Sequence, residues 1–192
     1  MRQVVRQVPE VLGPQTQVAL LGGEPFLVSW AIDLASEVIA AGMDLTIFTN
    51  GLRLVDSDLA RQTAALVDRG VKVRVSLGGS SSSACDSISG ASRFETALAG
   101  LHRLAAFGGR VSVDLMLLPQ HVDAIARELP RLRQRLPVGT TLALGVLYRS
   151  GRETGEHLFA SCAELEAALD RIAFEAGEAI AAPRTCPLAQ RR

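Results

Sequence analysis

The sequence predicts an α/β fold in which alternating strands and helices build a parallel sheet. Short apolar runs alternate along the chain with longer stretches whose apolar residues have helical spacing. Several of these stretches end with a glycine, a residue that commonly terminates helices. Strands separated by helices pair in parallel through right-handed crossovers, and the helices then cover the sheet. We therefore expect about five βα units, as an open sheet or a partial barrel.

Each strand is predicted from an apolar or alternating run that ends in glycine or polar residues. The expected strands are 18–22, 44–51 with its polar turn, 71–79, 110–118 and 140–148. The helices are predicted from amphipathic spacing, Asp or Ser caps and terminal glycines. They are expected at 27–42, 56–70, 93–109, 120–136 with an interruption near Pro130, and 162–177.

Length and composition limit the class of protein. The chain has 192 residues, of which 48% are hydrophobic and 21% charged, so it can bury a full core and is not intrinsically disordered. No linker divides it, which predicts a single domain over 1–192 with a tail at 178–192. Twenty basic and twenty acidic residues give zero net charge. That balance argues against a nucleic-acid or anionic-lipid partner.

Targeting signals and a disulfide framework are not expected. No apolar run reaches the length of about 18 residues that a membrane span needs, and the N-terminus lacks a signal-peptide pattern. The three cysteines, Cys85, Cys162 and Cys186, are odd in number and widely spaced. This usage predicts a reducing, cytoplasmic location without a membrane partner.

The loop at 22–25 is the most informative candidate site. In a parallel sheet, ligands bind at the carboxyl ends of the strands, where this loop is expected. Gly22 and Gly23 would let a ligand approach the backbone, and Glu24 would place a carboxylate beside a cationic amine. The same residues with Pro25 also suit an ordinary helix start, since proline and an acidic residue are favoured there. Both interpretations stay open on the residues alone.

The later strand ends carry weaker signals. Thr49 and Asn50 precede a glycine and could form a plain turn, and Ser76 at a strand end could donate to a ligand or simply cap a turn. The serine run at 80–83 lacks the lysine and the spacing of a P-loop. No GxGxxG follows a strand, which disfavours a nicotinamide or flavin enzyme.

Histidines and cysteines offer few catalytic arrangements. His121 is the one histidine placed just past a strand end, where acid–base work is possible, whereas His102 is expected on a helix surface and His157 in an irregular stretch. Cys85 is the one thiol near the expected ligand face, and an inert cysteine explains it better than a catalytic one.

Several segments in order resemble a known family. They are LLGGEPFL, TIFTNGLRL, VRVSLGG with RFETALAGLHRLAAFGGRVSV, and GVLYRSGRE. Their order and spacing resemble the radical S-adenosylmethionine superfamily, in particular the peptide-maturase and sulfatase-maturase type that often carries a SPASM extension. The resemblance runs from about residue 9 to about residue 153.

The resemblance implies a binding site for S-adenosylmethionine. The residues Gly22, Gly23, Glu24 and Pro25 would hold the amino group of its methionine part. Thr49 and Asn50 would line the same pocket, and Ser76 would reach the ribose or the carboxylate. His121 stands where the family has an asparagine after its fifth strand, and Gly78 stands where it has an aspartate.

The sequence departs from the family at its defining motif. The family holds a [4Fe-4S] cluster with CxxxCxxC after its first strand, yet this chain has no cysteine before Cys85. The resemblance thus implies a core truncated at its N-terminus. Without a cluster there is no electron source for reductive cleavage of S-adenosylmethionine, so we expect no radical catalysis by this chain alone.

Three functional hypotheses follow from this departure. The chain is a radical S-adenosylmethionine core without its cluster-bearing segment, or a cluster-less pseudoenzyme that binds a peptide or a partner maturase. The missing first strand would leave the edge of the 18–22 strand exposed for such a partner. The third hypothesis is an unrelated α/β enzyme that uses His121 or Cys85.

Overall fold

The sheet has five strands in sequence order. The computed structural model describes residues 2–13, 16–89, 93–146 and 159–176. Its strands are β1 (Gln17–Leu20), β2 (Asp44–Thr49), β3 (Lys72–Gly78), β4 (Ser112–Leu117) and β5 (Thr141–Val146), in the order β1-β2-β3-β4-β5. The β1–β2 and β2–β3 pairs are parallel. The predicted α/β class and open five-stranded sheet are confirmed.

Helices alternate with these strands. They are α1 (Arg2–Leu12), α2 (Ala31–Ala40), α3 (Ser57–Asp68), α4 (Ser82–Ser89), α5 (Phe94–Ala106), α6 (Val122–Arg135) and α7 (Cys162–Ala176). Short 3-10 turns lie at Pro25–Leu27, Leu52–Val55 and Pro119–His121. None of the described helices is both long and apolar enough to span a lipid bilayer.

The two faces of the sheet differ in burial. Successive side chains of β2 and β3 alternate between buried and accessible, as a strand's period of two requires. Ile47 pairs with Val73 in the register, and both are buried. Their face is the one against which helices pack, because α2 contacts β2 and buries Leu34 and Val38. The opposite face carries partly accessible side chains such as Phe48.

The chain forms two compact units. The first comprises Met1–Leu77, Glu95–Val113 and Leu136–Leu142, and the second comprises Gly78–Phe94, Asp114–Arg135 and Ala143–Arg192. In the first, α2 packs against α1 and α3. In the second, α6 packs against α7, with an exposed ion pair from Arg171 to Asp123 at 2.8 Å.

Two helices form where the sequence predicted none. The first is α1 at the N-terminus, which buries Val5. The second is α4, inside the serine-rich stretch predicted as a loop. Ser81 accepts a hydrogen bond from the Ala84 amide at 3.3 Å and so caps the first turn of α4. Serine favours loops and helix caps alike, so composition alone did not separate them.

Helix boundaries also differ from the prediction in two places. The predicted 27–42 helix begins only at Ala31, because the 3-10 turn Pro25–Leu27 precedes it. Helix α6 continues through Pro130, where an interruption was predicted. It buries Ile125, Leu129 and Leu132 along one face. We infer that this burial offsets the cost of about 3 kcal/mol for an internal proline.

Asp56 caps α3 and makes the stability of this helix depend on pH. Its Oδ1 accepts from the Leu59 amide at 3.2 Å and from the Asp58 amide at 2.9 Å, and these bonds hold the pKa of Asp56 below its usual 3.8. The contribution is present above pH 3.8 and is lost as the pH falls through the lower folded-state pKa. We expect Asp56→Ala to lower the urea midpoint at pH 7. The deficit should shrink as the pH drops below 3.8, and a deficit that is constant with pH would contradict this role.

Candidate functional site

The loop after β1 holds two glycines in left-handed conformations. Gly22 has φ +96° and Gly23 has φ +52°, and an added Cβ at either would meet nothing within 4 Å. Their backbone conformation, and not lack of space, therefore requires glycine. Both residues are exposed, so an incoming ligand can reach their backbone.

Glu24 connects this loop to the end of β2. Its Oε1 accepts from the Thr49 hydroxyl at 2.6 Å and from the Phe26 amide at 3.1 Å. Its Oε2 accepts from the Asn50 amide at 2.7 Å. The residue is extended, with φ −141° and ψ 111°, and caps the 3-10 turn that Pro25 begins. The structure thus brings together three of the predicted regions: the 22–25 loop, Thr49 and Asn50.

The turn after β2 is fixed by its own side chains. The Thr49 oxygen accepts from the Gly51 amide at 3.1 Å, and Asn50 Oδ1 accepts from the Leu52 amide at 3.0 Å. Thr49 is buried, at 3% exposure. These local bonds orient the Thr49 hydroxyl and the Asn50 amide that donate to Glu24.

Helix α5 packs closely against this turn. A Cβ on Gly100 would collide with the Gly51 carbonyl oxygen, and one on Gly51 would lie 2.8 Å from Val75 Cγ1. Gly51 also has φ +75°. The sequence analysis did not identify Gly100, because no local pattern shows which backbone a helical glycine will meet.

The carboxylate of Glu24 retains capacity for one more donor. Two carboxylate oxygens offer about four acceptor positions, of which three are used, two on Oε1 and one on Oε2. Glu24 is half-buried beside the two exposed glycines. An ammonium group can therefore reach Oε2 while the three internal hydrogen bonds remain.

Ser76 lies outside this network. Val75 pairs with Thr49, so alternation places the side chain of Ser76 on the opposite face of the sheet from that of Thr49. Ser76 is exposed and makes no hydrogen bond to Glu24 in the described part of the chain.

Three further candidates, His121, Cys85 and Ser80, belong to the second unit. His121 ends the 3-10 turn after β4, and its Nδ1 is buried without a hydrogen-bond partner among the described residues. Cys85 is a buried free thiol. The hydroxyl of Ser80, from the serine run, donates to Glu128 Oε2 at 2.6 Å. An anionic carboxylate beside Ser80 would repel a phosphate, which disfavours a phosphate site at the serine run.

Two histidines and one segment complete the predicted candidates. His102 is exposed on α5, as predicted, and His157 and most of GVLYRSGRE lie outside the described residues.

The described residues do not fit an iron–sulfur cluster. They contain no group of three or more His, Cys, Asp or Glu side chains able to hold a metal ion. Cluster iron needs several thiolates, yet Cys85 is the one cysteine of the described residues that lies outside a disulfide. Cys162 is disulfide-bonded, although the sequence predicted no disulfide framework. Sequence spacing did not indicate this pairing because it does not report distance in the fold.

Comparison with known proteins finds similarity in structure but not in sequence. No protein-family model and no curated protein matches this chain. One similar structure is anSMEcpe with bound AdoMet and Cp18Cys peptide, at TM-score 0.69 and 12% identity, covering 94% of this chain and 54% of that one.

Two further structures show the same fold. Streptococcus suis SuiB has TM-score 0.72 and 16% identity, covering 97% of this chain and 43% of its own. A radical SAM methyltransferase from Sphaerobacter thermophilus has TM-score 0.63 and 19% identity, covering 95% and 55%. The chain thus spans about half the length of these proteins. The resemblance predicted from the sequence is confirmed at the level of the fold: the chain has the core fold of radical S-adenosylmethionine enzymes.

Proposed function

We propose that this chain is related to the radical S-adenosylmethionine maturases and binds S-adenosylmethionine at the loop 22–25. The observation that carries the proposal is the Glu24 carboxylate, held by three donors from two strand ends with one acceptor position left over. A similar fold has been crystallised with AdoMet. The carboxyl ends of parallel strands are also where such folds bind ligands.

The proposed contact at Glu24 has a physical basis. The ammonium of the methionine part would pair with Glu24 Oε2, and the open backbone at Gly22 and Gly23 leaves room for its approach. For Ser76, as a donor to the ribose or the carboxylate, and for His121, at the position of the family's asparagine, the proposal rests on the sequence resemblance alone.

Because the described residues do not fit a [4Fe-4S] cluster, we assign no radical step to this chain. We propose instead that it acts with a partner, either a peptide or a partner maturase, at the edge of β1. We also propose a single domain over 1–192. The cytoplasmic location stays a prediction, and the disulfide at Cys162 argues against the reducing compartment on which it was based.

Calorimetric titration of S-adenosylmethionine into the purified chain tests the binding site. We expect saturable binding that Glu24→Gln weakens about tenfold, because the neutral amide no longer attracts the ammonium. Asp68→Asn removes one exposed carboxylate at the end of α3 and should leave the affinity unchanged. Equal affinity of Glu24→Gln and the parent would reject the site, and no binding by the folded parent would reject the ligand.

His121 is tested by the same titration. His121→Phe should weaken S-adenosylmethionine binding, because the ring would lose both nitrogen atoms at that position. Unchanged affinity would remove His121 from the binding site. The unpartnered Nδ1 would then favour the alternative of an unrelated α/β enzyme that uses His121. The burial of Cys85 gives no support to chemistry at that thiol.

A further inference from the structure

Acidic residues are segregated around β1. Residues 7–52 contain no lysine, arginine or histidine, although the whole chain has equal numbers of acidic and basic side chains. The same segment carries five acidic residues, Glu10, Glu24, Asp33, Glu37 and Asp44. Glu10, Asp33 and Asp44 are exposed. The segment 7–52 therefore carries a net negative charge although the whole chain is neutral.

Exposed apolar side chains concentrate in the same segment. Nine large apolar side chains are exposed among the described residues, and six of them lie between positions 11 and 30. They are Val11, Leu12, Leu21, Leu27, Val28 and Trp30. Val11 and Leu12 lie at the end of α1, shortly before β1, and the other four side chains follow β1 in the chain. Clustered exposed apolar residues with a polar surround mark interaction surfaces more often than singly scattered ones do.

The edge of β1 lacks the usual protection against pairing. Among the described residues, β1 is an edge strand of the sheet. Its four residues, QVAL, include no charged residue and no proline. Gln17 and Ala19 are exposed. Edge strands that stay unpaired commonly carry lysine, proline or a bulge. The β1 edge is therefore competent to accept another strand.

A small cavity adjoins this edge. It has a volume of about 170 Å³, and the residues that line it include Gly22 and Glu24 of the candidate site. The others are Leu20, Leu21, Pro25, Val28, Trp30 and Ala31. Small-molecule sites usually measure about 300–1,000 Å³. The cavity instead suits one large side chain of a bound polypeptide.

We propose that the β1 edge binds an extended, basic segment of another polypeptide as an added strand, with one large apolar side chain seated between Leu21 and Trp30. Backbone hydrogen bonds to β1 would supply affinity, and the cavity would select the apolar side chain. Positive side chains of that segment would be attracted by the net negative charge of residues 7–52. This inference rests on the proposed partner-binding role, and because Gly22 and Glu24 also line the cavity, the apolar side chain and S-adenosylmethionine would compete for it.

Charge distinguishes this occupant from a second copy of the chain. Two copies paired through β1 would bring two acidic 7–52 segments together, and like charges oppose such pairing. A basic segment meets the same surface with attraction.

Trp30 is the only tryptophan of the chain and is 45% exposed, so its fluorescence reports on this surface. The probes are the synthetic peptides Ac-KVTLTVK-NH2, Ac-EVTLTVE-NH2 and Ac-KVTDTVK-NH2. We expect the first to shift the Trp30 emission to shorter wavelength and to bind at least tenfold more tightly than either other peptide. Equal affinity for the acidic-ended peptide would overturn the charge assignment, and equal affinity for the Asp-centred peptide would overturn the anchor.

Two lysine substitutions localise the contact. Leu21→Lys changes a side chain that is 68% exposed, and should weaken binding of the first peptide at least tenfold without unfolding the protein. Val138→Lys is the matched control, because Val138 is fully exposed and lies outside the 7–52 segment. Equal loss in both variants would contradict a site at β1. So would sedimentation showing that the chain alone dimerises with Trp30 already shielded. Glu24→Gln separates the two proposals, because it should weaken S-adenosylmethionine binding while Leu21, Trp30 and the strand edge stay in place. That variant should still bind the first peptide within about twofold of the parent, and an equal loss of both ligands would contradict a peptide site at the strand edge.

Discussion

Replacing Glu24 with alanine is expected to lower the free energy of unfolding by about 2–4 kcal/mol. Three donors lose their acceptor at once: the Thr49 hydroxyl and the amides of Phe26 and Asn50. Thr49 and Phe26 are buried, so water replaces their bonds poorly, whereas Asn50 is partly accessible and its amide recovers some hydration. Urea denaturation at pH 7 measures the loss.

Two variants show whether the network or the charge causes this effect. Asp68→Ala removes an exposed carboxylate at the C-terminal end of α3, where a negative charge is unfavourable, so it should not destabilise. Thr49→Val removes one of the three donors and should cost about 1 kcal/mol. If the Glu24→Ala protein were as stable as the Asp68→Ala protein, the hydrogen bonds of Glu24 to the turn after β2 would not contribute to stability.

Gly100→Ala is expected to destabilise the protein by about 1–3 kcal/mol and to weaken S-adenosylmethionine binding as well. The new methyl group would collide with the Gly51 carbonyl oxygen and approach Leu54 Cβ to 3.0 Å. Either α5 or the turn after β2 must then move, and the turn carries the Thr49 and Asn50 donors. Urea denaturation and calorimetric titration measure the two effects.

Gly145→Ala is the matched control for this substitution. Gly145 lies in β5, and an added Cβ would meet only the Leu115 carbonyl oxygen at 3.8 Å, an ordinary contact. Its stability should stay unchanged or rise slightly, since alanine reduces the entropy of the unfolded chain. Equal stability and equal affinity for S-adenosylmethionine in the two glycine variants would contradict the inference that α5 supports the turn.

Much of the fold followed from periodicity. The β2 and β3 strands alternate buried and accessible residues, and each strand was predicted within about three residues of its observed ends. Asp56 was predicted as a helix cap and accepts from two amides at the start of α3. These features depend on neighbours in sequence, so a local pattern is enough to indicate them.

The missed elements depend on distant partners. The continuity of α6 through Pro130 depends on the burial of Leu129 and Leu132, which no local rule supplies. Helix α2 begins late because Glu24 stabilises the 3-10 turn before it. The Glu24 carboxylate accepts from the Phe26 amide of that turn and from the hydroxyl of Thr49, 25 positions later in the chain.

For the candidate site, the sequence left two interpretations of Glu24 open, a helix-start residue and a ligand for an amine. The structure shows the first directly, because Glu24 caps the turn at Pro25. It also leaves one acceptor position on Oε2, so the structural role is compatible with the proposed binding role.

The sequence by itself determined the α/β class, the loop residues at the ends of β1 and β2, and the acidic, cation-free segment 7–52. Only the tertiary structure decided that Glu24 meets Thr49 and Asn50. The β1–β2 register, in which Leu20 pairs with Ile47, brings the ends of the two strands to nearly the same level. That register is set by packing between residues far apart in sequence, so no local pattern could have revealed the contact.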